Sequence, residues 1–123
     1  MADFFPNPIE LWTNEDWRDT VSFVAGENDD PYPLAPGTPI RMQVRETACS
    51  PYVELEMSTA NGRLAITGDG DLAFVLDADV IRDRLGPRDC ESRQFEADIT
   101  AKIEGRELTL MRFGVLVHDG VTR

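Results

Sequence analysis

The sequence predicts an all-β domain: an antiparallel β-sandwich of about seven strands with one short helix near 78–85. Three observations carry that expectation. Apolar and polar residues alternate with a period of two in several short stretches, the pattern of strands with one face on a core and one in water. Clusters of Gly, Pro, Asn and Asp separate those stretches at short intervals. A helical pattern is confined to one stretch of about two turns.

The elements follow in order. Residues 1–12 read as an extended N-terminal segment in which Ile9, Leu11 and Trp12 can add a short edge strand, since Pro6 and Pro8 restrict it to a place where lost amide donors do no harm. Asp16 to Val24 reads as a strand through Trp17, Val21 and Phe23. Residues 25–33 are turn chemistry throughout and predict a surface loop. Ile40-Arg41-Met42-Gln43-Val44-Arg45 alternates without a slip, and Val53 to Met57 repeats the pattern. Asn61-Gly62, a pair that tolerates positive φ at both positions, predicts a tight hairpin into Leu64-Ala65-Ile66. After the turn at Gly68 to Asp71, the period of two resumes in Leu72, Phe74 and Leu76. Asp77 to Leu85 predicts the helix, capped by Asp77 and stopped by Gly86-Pro87. Phe95 to Ile103 and Leu108 to Val117, joined through Glu104-Gly105-Arg106, predict a long C-terminal hairpin.

A chain of 123 residues is the size of one ordinary domain, so 1–123 reads as a single sandwich. The strand count suits an immunoglobulin-like architecture, although Trp17 precedes both Cys49 and Cys90, unlike the antibody arrangement of cysteines around a tryptophan. The formal charge of -11, from 23 acidic and 12 basic residues, repels phosphate backbones and argues against a nucleic-acid partner. The densest basic stretch, Arg82, Arg84, Arg88 and Arg93, is interleaved with Asp83, Asp89 and Glu91. No apolar run is long enough to suggest a membrane span, and Met1 to Pro8 lacks the pattern of a secretory signal, so synthesis in the cytoplasm is expected. The two cysteines read as buried or half-buried thiols.

Catalytic chemistry finds little support. His118, the single histidine, reads as a strand-end residue in water, and no G-x-S-x-G elbow accompanies it. Glu54, Glu56, Glu96 and Asp98 sit at alternating positions and read as a charged outer face rather than a glycosidase pair. Asn28-Asp29-Asp30 and Asp69-Gly70-Asp71 have calcium-type oxygen ligands but read first as turns. No catalytic residue, metal ligand or cofactor is therefore expected. The apolar residues Phe4, Phe5, Ile9, Leu11 and Trp12 are the candidate docking residues: the segment either packs across its own core or inserts into a neighbour.

Four stretches carry a family resemblance: Trp17-x-x-Thr20-Val21-Ser22-Phe23, Gly37 to Arg45 with its Arg-Met-Gln-Val-Arg, Ser58 to Leu64, and Gly114 to Val117 with the terminal Val121-Thr122-Arg123. In these the chain resembles small immunoglobulin-like sandwich proteins of tailed bacteriophages and prophages, and is similar to the N-terminal domain of baseplate upper proteins. It departs from them in the proline-rich Asn28 to Pro36 and in Gly86 to Phe95, which holds Cys90. The resemblance implies a non-enzymatic virion subunit, an adaptor at the tail tip or baseplate, with other phage structural proteins as partners and a homo-oligomer possible. Capsid decoration and carbohydrate binding in host recognition are the alternatives, the latter using exposed aromatics such as Tyr32 and Tyr52.

Overall fold

The computed structural model describes residues 3–4, 8–25, 30–31, 34, 37–47, 49–68, 70–87 and 92–120, with 3–4, 24–25 and 30–31 described by backbone pairing. In chain order the elements are β1 (Asp3–Phe4), β2 (Ile9–Trp12), β3 (Trp17–Ser22), β4 (Val24–Ala25), β5 (Asp30–Pro31), β6 (Ile40–Arg45), β7 (Leu55–Ser58), β8 (Leu64–Gly68), β9 (Asp71–Leu76), α1 (Ala78–Leu85), β10 (Ser92–Ile103) and β11 (Arg106–His118). The larger sheet has the order β1-β11-β10-β6-β7, with β2 also paired to β11, and the smaller has the order β3-β9-β8. The fold is the expected all-β sandwich with one short helix; the count exceeds seven because β2 and the two-residue pieces β1, β4 and β5 are added.

The cleanest alternation in the sequence gives the cleanest strand. Ile40, Met42 and Val44 of β6 are buried while Arg41, Gln43 and Arg45 face outward. They meet Ile99, Phe113 and Met57 of the same sheet and Leu64, Leu72 and Phe74 of the other in one continuous core. The Trp17 and Phe74 rings stack at 4.7 Å, joining β3 to β9 within it.

The C-terminal hairpin is longer than expected at both ends. Its turn is Glu104-Gly105, both with positive φ (53° and 77°), the type I′ geometry whose twist matches the strands it joins. Farther along, Ile99 pairs with Met111 and Thr100 with Thr109, so Leu110 is an extra residue on β11. The bulge explains why consecutive residues, Leu110 and Met111, are both buried.

The structure corrects four expectations about the strands and the helix. First, the Asn61-Gly62 turn does not close a hairpin: β7 pairs with β6 in the larger sheet and β8 with β9 in the smaller, so the turn carries the chain between sheets. Second, Asp77 precedes α1 but its side chain does not cap it; Asp77 Oδ1 accepts from Arg18 Nη2 at 2.9 Å, and Asp16 Oδ1 takes the Ala78 N–H at 2.7 Å. Third, β1 and β2 run parallel to β11, so the larger sheet is not antiparallel throughout. Fourth, the strand expected over Asp16 to Val24 breaks at Phe23, whose N–H donates to Gly70 O, and β4 then leaves to pair with β5 inside the stretch read as loop.

Candidate functional site

The N-terminal strand is placed by its own alternation. Leu11 is 4% exposed and belongs to the core, and Ile9 packs against that core, while Glu10 and Trp12 face outward. The strand lies parallel to β11 with Ile9 opposite Val115, Glu10 opposite Leu116, Leu11 opposite Val117 and Trp12 opposite His118. Of the other candidate docking residues, Phe4 takes its place in β1 opposite Arg112, and Phe5 lies outside the described residues. Between the two pairings stands Gly114, where an added Cβ would lie 3.4 Å from Pro8 Cβ.

On the outer face of this seam, His118 Nε2 is 2.9 Å from Glu10 Oε1 and the His118 ring lies 5.1 Å from the Trp12 ring at a tilt of 32°. His118 is thus partly covered rather than open to water at the strand end, and its partner is a carboxylate 108 residues away in the chain. A second set of bonds locks the turn that follows. Thr13 N donates to His118 O at 3.1 Å, the buried Thr13 hydroxyl donates to Asp119 Oδ1 at 3.2 Å, and that hydroxyl accepts the Gly120 N–H at 2.9 Å. Glu10, Thr13, Asp119 and Gly120 carry this site without having been singled out by sequence; the period of two in 9–12, which turns Glu10 and Trp12 to one side, is the signal that bears on them.

Of the outward carboxylates, Glu54, Glu56 and Asp98 lie against arginines. Arg41 reaches Glu107 at 2.7 Å and Glu56 at 4.0 Å, Arg45 reaches Asp98 at 3.9 Å, and Arg93 lies against Glu46 and Glu54 while covering the Phe95 ring. A groove of about 570 Å³ on this face is lined by polar side chains such as Arg41, Glu56 and Glu107 and by apolar ones such as Pro39, Ile40 and Ala60. The remaining exposed large apolar side chains among the described residues are Tyr52, Val53 and Val75, and Tyr52 is the most open at 76%. Tyr52 and Val53 border a shallow hollow with Asp83 and Arg84 of α1.

The other sequence candidates are distributed as follows. Asp71 Oδ1 accepts from Ser22 Oγ at 2.6 Å, while Asn28, Asp29 and Asp69 lie outside the described residues. Cys49 is an exposed free thiol, not a buried one, because it sits in the loop between β6 and β7; Cys90, Tyr32 and Val121 to Arg123 fall outside the described residues. No group of three or more metal-binding side chains occurs among the described residues, and no helix there is long and apolar enough to cross a membrane.

These features describe an all-β sandwich whose edge strand is sealed by a short polar seam. No protein-family model matches the chain. No curated protein matches it in sequence. The chain is similar to the solved structure of the periplasmic chaperone SfaE, at TM-score 0.42 and 11% identity over 98% of this chain and 55% of that one. It therefore spans about half the length of that chaperone.

Proposed function

We propose that this protein is a non-enzymatic structural subunit that docks onto neighbouring proteins of a larger assembly, as an adaptor at a bacteriophage tail tip or baseplate. One observation carries the docking reading. The N-terminal strand buries Leu11 but leaves Trp12 40% exposed beside His118, on the rim of the larger sheet. A half-exposed tryptophan held by a neighbouring ring is the kind of preorganised anchor that dominates protein interfaces. The phage setting rests on the resemblance of the Arg41-Met42-Gln43-Val44-Arg45 strand and its companion segments to tail-associated sandwich proteins.

The test is mass spectrometry of purified virions with tails separated from heads. The protein is expected in the tail fraction, with incorporation reduced by Trp12→Ala. Recovery with heads supports capsid decoration instead, and absence from both fractions ends the assembly proposal. Tyr52, largely exposed beside Val53, favours carbohydrate binding as a second reading. Glycan binding by the purified protein that is lost on Tyr52→Ala would favour it over docking.

A further inference from the structure

Among the described residues the larger sheet ends at β7, whose sheet partner is β6 on one side. The bond from Thr59 N to Ile40 O sets the parity of that pairing: Met57 directs its backbone groups to β6, and Glu56 and Ser58 direct theirs to the open side. Open strand edges invite other strands. Here two of the open-side groups are already occupied by side chains of the turn that follows. Glu56 O accepts from Asn61 Nδ2 at 3.1 Å and from Arg63 Nη1 at 3.1 Å, and Ser58 N donates to Asn61 Oδ1 at 3.0 Å. The turn is itself braced, because Asn61 N donates to Ser58 Oγ at 3.1 Å and Arg63 N donates to Asn61 Oδ1 at 3.0 Å. The Asn61 carboxamide offers one donor and one acceptor, as a neighbouring strand's backbone would.

We infer that Asn61 and Arg63 form a latch that masks β7 as a strand-accepting edge, and that the strand it holds off is β7 of a second copy of this chain. The segment is self-complementary about a two-fold axis at Met57. In that arrangement Glu56 of one copy exchanges backbone bonds with Ser58 of the other, so the two Glu56 carboxylates are not opposed. Arg41, register partner of Ser58, would lie one strand beyond it and bring a positive charge toward the other copy's Glu56.

The experiment is light scattering after size exclusion over a range of concentrations, on the full chain and on Asn61→Ala/Arg63→Ala. The native chain should be monomeric through this edge. The double variant should dimerise with a dissociation constant at least about tenfold lower, and the amides of Glu56 and Ser58 should become protected from exchange as concentration rises. Asn61→Asp, which keeps the acceptor at Ser58 and sets an anion against Glu56 O, should show the same change to a smaller degree and decides the matter if the double variant does not fold. A folded latch variant as monomeric as the native chain, or a native chain already paired through β7, would overturn the inference. The readout needs purified protein alone, so it stands or falls separately from virion incorporation.

Discussion

Replacing Leu11 with alanine tests the placement of the N-terminal strand most directly. Leu11 is 4% exposed and sits among core residues, so the change removes buried methyl and methylene groups and leaves a void that a strand registered along β11 can only partly fill. Leucine truncations in such settings cost about 3 kcal/mol. With about 2.1 cal/mol/K of unfolding entropy per residue, a chain of 123 residues has roughly 0.26 kcal/mol/K, so Tm should fall by about 12 °C. Differential scanning calorimetry reads this shift, with Glu10→Ala as the companion variant. That change removes a partly exposed pair with His118 from the same strand and should cost under about 1 kcal/mol. A Leu11→Ala protein melting within about 2 °C of the native one would refute the packing of this segment on its own core.

Two further substitutions probe the joints around that strand and the helix. Thr13→Val keeps the volume but deprives the Gly120 N–H of its acceptor and Asp119 of its donor, and should lower the stability measured by urea unfolding by about 1–2 kcal/mol. Gly86→Ala would set a Cβ 2.4 Å from Arg82 O, a backbone atom at the end of α1 that cannot swing aside, and should cost about 2 kcal/mol or more in the same assay.

Some of this architecture was legible because it depends on neighbours in sequence. The alternation of Ile40 to Arg45 needs no partner to say which side chains turn inward, and the burial follows it residue for residue. The hairpin of β10 and β11 is likewise local, closed by two residues. The Asn61-Gly62 turn shows where such reading ends. Its chemistry fits a hairpin, but the sheet that each flanking strand joins is set by β6 and β9, whose pull is tertiary. The same holds at the candidate site: the sequence of 9–12 sorts Leu11 from Glu10 and Trp12, yet neither the parallel direction nor the contact with His118 can be read across more than a hundred residues.

That separation also bears on how the chain reaches its native state. The bonds that hold β2 in place, Glu10 to His118 and Thr13 to Asp119, close loops of 108 and 106 residues. Closing so long a loop carries an entropic penalty that the local hairpin avoids, so docking of the N-terminal strand belongs to the last stage of folding. During synthesis on the ribosome, Leu11 emerges more than a hundred residues before its slot on β11, leaving an apolar strand without its seat until that hairpin has been made.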